Sequence, residues 1–415
     1  QDVSHLRPAF DSALEKYRWD YAAYYQAHAL PDSPPMRPAN PAIVLIPGIG
    51  MFSFAKSRAE ARLASEFYVN AIHVMEGASA LAASNPSKKK ITEYPQAGPA
   101  APSSAFESHS NYVALPIGEA FRIEYWALEE AKLRRQPPEK TLSRRVTMIV
   151  GGGSGIGRAA ALLAGASGAT VAVADRNVPG ADAVVTELRK LYGRDAAHAI
   201  EIDITQETSI QAALRSVITH CGGLDLLINT AALFSASADN TTSQTQWGQT
   251  LEINVTANYF LAEQAARIFR EQGLDASIVL TSSANAVVAK RGSEAYDVSK
   301  AAVSHLVREL AVSLAPLVRV NGISPATVIR GSTMFPRERV MASLKKYNIS
   351  FEGGASDDEL RDLLATFYAQ RTLTHQPIDP LDCARAILFL ASPEARCTTG
   401  HIVPVDGGLT EAFLR

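Results

Sequence analysis

From Arg145 onward the sequence predicts an α/β fold, a doubly wound parallel sheet of about seven strands, with a smaller α/β segment in front of it. Three observations carry that reading. Short β-branched runs alternate with amphipathic helical stretches, the pattern of βαβ units whose right-handed crossovers put helices on both faces of a sheet. A glycine-rich turn, Val150-Gly-Gly-Gly-Ser-Gly-Ile-Gly157, joins the first such run to the first helix. Four polar residues, Asn254, Ser283, Tyr296 and Lys300, then follow in order, the last two one helical turn apart.

Along the chain, the expected strands are Val146 to Val150, Thr170 to Ala174, Ala199 to Asp203, Leu224 to Asn229, Ala276 to Thr281, Arg319 to Ile323 and His401 to Val405. Helices are expected near Ile156 to Ala166, Ala181 to Leu191, Thr208 to His220, Trp247 to Gln272, Ala295 to Leu314 and Pro380 to Leu390. The most apolar stretch, Ala159 to Ala174, is interrupted by Gly165 and Gly168. It therefore reads as a helix followed by a strand and falls short of a membrane span. The segment Thr327 to Pro377 breaks the rhythm with polar residues, Gly353-Gly354 and two short helices near Arg337 to Lys346 and Asp357 to Arg371. A mobile lid is expected there.

Residues 1–144 differ in character and read as an accessory segment ahead of the sheet domain of residues 145–415. They offer a Tyr-rich helix from Pro8 to Leu30, a Pro-rich connector from Pro31 to Pro41 and a strand-turn-helix from Ile43 to Met75. Ala83 to Ser110 is rich in Ser, Pro, Ala and Lys and reads as loop or partly disordered. A further helix is expected from Gly118 to Arg135, before Pro137-Pro138.

The glycine turn follows an apolar strand and opens a helix, the context in which such a motif binds a dinucleotide. Gly151 permits the turn, Gly155 lets backbone approach a pyrophosphate, and Gly157 allows close helix packing; phosphate charge then meets the helix N-terminus. A structural loop alone would also use these glycines. Asp175 closes the second strand, 18 residues beyond Gly157, where a carboxylate can hold both ribose hydroxyls of an adenosine. A carboxylate there repels a 2′-phosphate, which favours NAD over NADP, although the adjacent Arg176 offsets part of that repulsion. Capping a loop is the other role open to Asp175. Asp203, at the end of the third strand, suits either adenine recognition or the N-cap of the next helix.

The Tyr296-x-x-x-Lys300 spacing puts an ammonium beside a phenol on one helix face. A phenol titrates near pH ~10, and a neighbouring cation lowers that value, so the pair can move protons near neutrality. Of the adjacent Ser282 and Ser283, alternation along a strand lets only one face a site. Ser283, thirteen residues before Tyr296, is the candidate. Taken singly, Ser283 could be a turn hydroxyl and Asn254 a polar group that bends a helix.

These residues, together with Asp203-Ile204, Asn229-Thr-Ala-Ala232 and Pro325, resemble the short-chain dehydrogenase/reductase family across about Leu142 to Arg415. The resemblance implies a Rossmann domain, NAD(P)-dependent hydride transfer at the carbinol or carbonyl carbon of a small-molecule substrate, and a homodimer or homotetramer. It implies Tyr296 as acid/base, and Lys300 as the group that lowers its pKa and holds the nicotinamide ribose. Ser283 would orient the substrate oxygen, and Asn254 would position a water in a proton relay. The cofactor contacts it implies are Gly151, Gly155, Ile156, Gly157, Asp175, Asp203, Ile204, Asn229, Ala231, Pro325 and Val328, with Tyr296 and Lys300.

Three positions depart from the family pattern: Val150 stands for a usual Thr, Ala232 for a Gly, and Ala326 for the Gly after Pro325. The lost Thr hydroxyl removes a bond that ties the turn to a neighbouring strand, and altered cofactor affinity is the expected result. Arg330 stands where the family often has a Thr that contacts the carboxamide; the backbone of Val328 could make that contact instead.

The front segment contains Ile43-Val-Leu-Ile-Pro-Gly-Ile-Gly-Met-Phe-Ser-Phe-Ala-Lys56, which lacks Gly-Lys-Ser/Thr and reads as a structural turn rather than a phosphate loop. With Glu124-Tyr-Trp-Ala-Leu-Glu-Glu-Ala-Lys-Leu, it is similar to the linker region of bifunctional rhamnulose-1-phosphate aldolase/alcohol dehydrogenase proteins, in which an aldolase module precedes this region. That resemblance implies lactaldehyde as substrate and a place in rhamnose catabolism. His73 and His109 are isolated, so no aldolase metal site is expected here.

A net charge of −2 with interspersed signs gives no reason to propose a nucleic-acid or membrane partner. Cys221, Cys383 and Cys397 match neither a disulfide framework nor a zinc site, which fits a reducing cytoplasm. The chain opens Gln-Asp-Val, without an initiator Met or a charged-then-apolar leader, and reads as a processed or truncated piece of something longer.

Overall fold

A computed structural model describes residues 6–84, 114–135, 137–234 and 241–413. The chain divides into two compact units, Gln1–Pro138 and Glu139–Arg415.

The first unit contains α1 (Leu6–His28), β1 (Ile43–Ile46), β2 (Gly50–Ser53), α2 (Arg58–Ser84), α3 (Ile117–Glu124) and α4 (Ala127–Arg134). The tyrosines of α1 pack on the end of α3. Tyr21 donates to Glu124 at 2.5 Å and meets the Tyr125 hydroxyl at 2.6 Å, while Phe121 stacks on Tyr125 with ring centroids 4.7 Å apart. Two expectations change here. The strand-turn-helix from Ile43 is an antiparallel hairpin followed by a helix, because the Ile46–Gly50 turn brings Gly50–Ser53 back alongside Ile43–Ile46. The helix expected from Gly118 to Arg135 is two helices, broken where Trp126 adopts extended backbone. From residue 85 on, the stretch read as loop between Ala83 and Ser110 lies outside the described residues.

The second unit runs β3 (Val146–Val150), α5 (Gly155–Ala166), β4 (Thr170–Asp175), α6 (Val178–Tyr192), β5 (Ala197–Glu201), α7 (Glu207–Cys221) and β6 (Leu226–Asn229). It continues with α8 (Gln244–Leu251), α9 (Ala257–Gln272), β7 (Ala276–Thr281), α10 (Glu294–Leu314), β8 (Val318–Pro325), α11 (Arg337–Lys346), α12 (Asp357–Ala369), α13 (Pro380–Ala391) and β9 (Ile402–Val405). Seven parallel strands form one sheet in the order β5-β4-β3-β6-β7-β8-β9. The chain steps outward from β3 to β5 and then returns to the other side of β3. At that reversal the crossovers diverge to opposite faces and leave a crevice beyond the strand ends.

The central strands read as unbroken apolar runs because both of their faces are covered. On one face, Ala160, Ala164, Leu188 and Ile387 from α5, α6 and α13 pack over Ile149, Val171 and Ile228. On the other, Leu214, Leu261, Phe269 and Val307 from α7, α9 and α10 pack over Met148, Leu227 and Ile278. The long helix expected from Trp247 to Gln272 is interrupted by a π-turn over Glu252–Thr256, between α8 and α9.

In the segment from Thr327 to Pro377, α11 and α12 close around their own apolar cluster of Ile329, Val340, Leu344, Leu360 and Leu364. Arg330 ties its base, donating to Asp362 at 2.6 Å and Asp379 at 3.0 Å. Among the described residues, no helix is long and apolar enough to cross a membrane. No group of three His, Cys, Asp or Glu among them could hold a metal ion.

Candidate active site

A cavity of about 640 Å³ opens beyond the C-terminal ends of the strands, lined by Asp175 and Asp203 after β4 and β5 and by Ser283, Tyr296 and Lys300 after β7. Between them lie Gly151, Gly155, Ile156, Gly157, Ile204, Ala231, Pro325 and Val328.

The glycine turn shapes the middle of this cavity. Gly157 sits so close to the turn that an added Cβ would stand 2.1 Å from the Gly151 carbonyl oxygen and 2.6 Å from the Thr230 hydroxyl. The first residues of α5 line the cavity, so the positive end of the helix faces it. A cradle without side chains over a helix N-terminus fits the pyrophosphate of a dinucleotide. Asp175 serves the turn as well as the cavity wall. Its carboxylate accepts the Gly153 N–H at 2.9 Å and the Asn177 N–H at 2.8 Å, and each oxygen keeps a further lone pair. The loop-capping role read for Asp175 is thus filled, and lone pairs are left over on a residue that also lines the cavity.

The hydroxyl lost at Val150 is supplied from elsewhere. Thr230 Oγ1 donates to the carbonyls of Val150 at 3.0 Å and Gly151 at 3.3 Å, tying the turn to the end of β6. Asp203 is held by Thr205, whose hydroxyl and N–H donate to its carboxylate at 2.7 and 3.0 Å. Those bonds keep the Asp203 carboxyl below its ordinary range. Arg330, turned to Asp362 and Asp379, is committed to the base of the α11–α12 segment.

Asn229 and Asn254 lie beneath the cavity floor, 1% and 0% exposed. Asn254 accepts the Leu233 N–H at 2.8 Å and donates to the Leu233 carbonyl at 2.9 Å and Ser299 Oγ at 3.0 Å. Asn229 accepts the Ala231 N–H at 3.0 Å and donates to Asn258, which in turn donates to the Asn254 carbonyl at 2.7 Å. These amides clamp the backbone of Ala231–Leu233, which lines the cavity. The Asn254 side chain holds this loop, and it does so from the π-turn.

Ser283 leaves β7 with extended backbone, accepts the Asn285 N–H at 3.2 Å and lies near enough to the Tyr296 phenol to act on its pKa. Ser282 points away, bonding the Lys300 carbonyl at 3.0 Å and Ser304 Oγ at 2.7 Å. Lys300 is buried; its ammonium donates to the Thr281 carbonyl at 2.8 Å and stands 5.6 Å from the centroid of the Tyr296 ring. Burial brings its pKa down to about 8.

The phenol departs from expectation: its pKa is raised. Burial is the main cause and Asp297 adds to it, outweighing the Ser283 hydroxyl and the Arg339 cation, which act the other way. The lysine spends its charge on the Thr281 carbonyl and the ring face. Tyr296 thus holds its proton through neutrality beside a hydroxyl that can share the same oxygen ligand. A phenol in that state can donate a proton to an oxyanion near neutrality and can accept one only at higher pH. A group raised in pKa keeps its protonated form over the whole range below that value, so oxidation of an alcohol, which needs the phenolate, is expected to climb across pH 7 to 10. Carbonyl reduction, which uses the protonated phenol, should not share that climb. Initial rates in both directions check this; an oxidation rate that levels off below neutrality would contradict it.

Sequence reasoning missed four participants. Thr230 sits inside a recognised motif at an unremarked position. Asp297, next to Tyr296, holds Asn285 at 2.6 Å and the Lys290 N–H at 2.9 Å, a partnership no local pattern announces. Phe234 meets the Tyr296 ring edge-on at 4.8 Å and carries Arg339 on its face, yet neither residue belongs to any motif.

Comparison with known proteins agrees in extent. Residues 145–339 match the short chain dehydrogenase family, residues 351–410 match a family described as enoyl-(acyl carrier protein) reductase, and residues 1–133 match the second domain of class II aldolase. The uncharacterized oxidoreductase YuxG of Bacillus subtilis is 32% identical over the whole chain, which spans 55% of the length of that relative. The 7alpha-hydroxysteroid dehydrogenase of Escherichia coli is 30% identical over 64% of this chain and 94% of its own length. Among solved structures, the aldohexose dehydrogenase of Thermoplasma acidophilum superposes with a TM-score of 0.53 at 26% identity, covering 64% of this chain and 94% of that one.

Proposed function

This chain belongs to the short-chain dehydrogenase/reductase family and is an oxidoreductase, and from that premise we propose that it interconverts a small hydroxyaldehyde and its alcohol with NAD. The observation that carries the reading is the meeting of Ser283, Tyr296 and Lys300 with the glycine cradle in one cavity. A bound nicotinamide dinucleotide supplies the acceptor or donor of hydride. Ser283 and Tyr296 both direct hydroxyls at the substrate oxygen; Tyr296 gives it a proton in reduction and removes one in oxidation. Lys300, fixed by Thr281, holds the ring face and the ribose side of the cavity. Asn254 positions the Ala231–Leu233 loop that walls the cavity opposite.

For the substrate, the match of residues 1–133 to a class II aldolase second domain supports a hydroxyaldehyde of the kind aldol cleavage releases, lactaldehyde among them. A sugar or polyol is the second reading, favoured by the cavity's size and by the likeness to an aldohexose dehydrogenase. Outward-facing Tyr259, Phe260, Val298 and Val312 on α9 and α10 suit a symmetric pairing of copies.

For the cofactor, Asp175 favours NAD because a second anion beside its carboxylate is repelled. The test is oxidation of NADH and NADPH by lactaldehyde and glyceraldehyde, and reduction of NAD and NADP by propane-1,2-diol, glycerol, polyols and aldoses. Turnover with NAD is expected. Asp175→Ser should raise the NADP-to-NAD ratio of kcat/KM by about tenfold or more. Tight dinucleotide binding with no turnover of any member would sink the proposal and leave a nucleotide-binding scaffold.

A further inference from the structure

The substrate end of the cavity is cationic. Arg339 reaches in from α11, its guanidinium 4.3 Å from the centroid of the Phe234 ring and 4.6 Å from that of Phe335. Phe234 in turn meets Tyr296 at 4.8 Å, so a single aromatic ring lies between the guanidinium and the phenol. Lys290, from the loop after β7, lines the same cavity.

Lys290 feels the charges of Asp297 and Glu411 together with that of Arg371. Among the described residues, Arg339 has no carboxylate within ion-pair distance, and one of its five N–H groups is used by the Met334 carbonyl at 2.7 Å. Arg330, at the base of the same segment, shows the alternative, with Asp362 and Asp379 both on its guanidinium. Among the described residues, the carboxylates lining the cavity are Asp175 and Asp203, at the ends of β4 and β5 rather than β7. Asp297, adjoining Tyr296, is buried and engaged by Asn285 Nδ2, the Lys290 N–H and the Ser293 hydroxyl. Two stacked rings hold Arg339 in place without a counter-ion and leave the edge of its fork for a ligand.

We propose that the substrate carries an anionic group, a carboxylate or phosphate, a short carbon chain away from the reacting oxygen, and that Arg339 receives it with Lys290 assisting. The inference rests on the hydride-transfer reading above and narrows its substrate class. A guanidinium recognises either oxyanion in bidentate fashion, while Tyr296 and Ser283 engage the reacting oxygen. Neutral hydroxyaldehydes would then be poor substrates beside charged ones of the same length.

The test uses the full chain with saturating NAD or NADH, which covers Arg176 and the adenosine end. Glyceraldehyde is compared with glyceraldehyde 3-phosphate, and glycerol with glycerol 3-phosphate; glycerate supplies the carboxylate arm. The charged member of a pair is expected to have a kcat/KM about tenfold or more above the neutral one, a preference that falls with added salt. Arg339→Met should abolish the preference through KM while retaining turnover of the neutral member. Equal kcat/KM within each pair, or a preference that survives in Arg339→Met, overturns the proposal. Calorimetric titration of glycerol 3-phosphate and of glycerol into the protein–NADH complex separates this result from failure of the hydride-transfer reading. With no turnover of any compound, selective binding of the phosphate ester, lost in Arg339→Met, still supports the anion site, and equal binding overturns it.

Discussion

Replacing Tyr296 by Phe is expected to lower kcat by about 10²–10⁴-fold, the usual worth of a positioned acid or base, and to leave dinucleotide affinity nearly unchanged. The substitution removes one hydroxyl and keeps the ring, so the edge-on contact with Phe234 and the cation face presented to Lys300 persist. Ser283 retains the Asn285 N–H at 3.2 Å, which keeps its side chain oriented. The loss should therefore fall on kcat rather than on KM or stability. Steady-state rates beside a nucleotide-fluorescence titration check both halves. Activity within about tenfold of wild type would remove Tyr296 from the chemistry, and a parallel collapse of nucleotide binding would recast it as structural.

The sheet was legible because its signal is local. Val146–Val150 and Ala276–Thr281 are covered on both faces, so their residues are apolar in sequence order rather than in alternation, and glycines or polar residues bound them. Both strands fall at their expected positions. The short helices Arg337–Lys346 and Asp357–Ala369 were equally plain, the second opening on the capping box of Ser356 and Glu359.

What the sequence concealed depends on partners far along the chain. The π-turn at Asn254 answers to Leu233, 21 residues away, and helical periodicity runs through it undisturbed. The tie of Thr230 to Val150 crosses 80 residues. The phenol's raised pKa follows from burial, which a Tyr-x-x-x-Lys spacing cannot report; the spacing places the cation but not the Thr281 carbonyl that takes its ammonium. Arg339 is a further case. Its helix could be read from the sequence, but its position over Phe234 arises only when the α11–α12 cluster packs beside the Leu233 loop.

Gly157→Ala is expected to do more damage than its single methyl suggests. Residue 157 lies inside α5, where an alanine is intrinsically better than a glycine by about 0.5–1 kcal/mol, so propensity alone predicts stabilisation. Sterics decide otherwise. The added Cβ would stand 2.1 Å from the Gly151 carbonyl oxygen and 2.7 Å from its carbon, and backbone cannot rotate aside as a flexible side chain would. Relief requires moving the first turn of α5 away from the β3 turn, which also strains the Thr230 tie at 2.6 Å from the new methyl. Overpacking of this kind costs about 1–3 kcal/mol, enough to reverse the propensity gain. The displacement falls where the helix end must meet phosphate, and misplacement of about 1 Å at such a point costs on the order of 10²-fold in kcat/KM. Gly155→Ala separates the two causes of damage. Its Cβ would meet nothing closer than 3.6 Å, but its φ of +51° makes any side chain unfavourable by about 1–2 kcal/mol. Thermal unfolding should therefore show both variants destabilised, and nucleotide titration should show weaker affinity in both: in Gly157→Ala because the helix end is displaced, and in Gly155→Ala because a methyl enters the cavity where backbone would approach the pyrophosphate. Wild-type affinity in Gly157→Ala would mean that the dinucleotide does not lie over this turn.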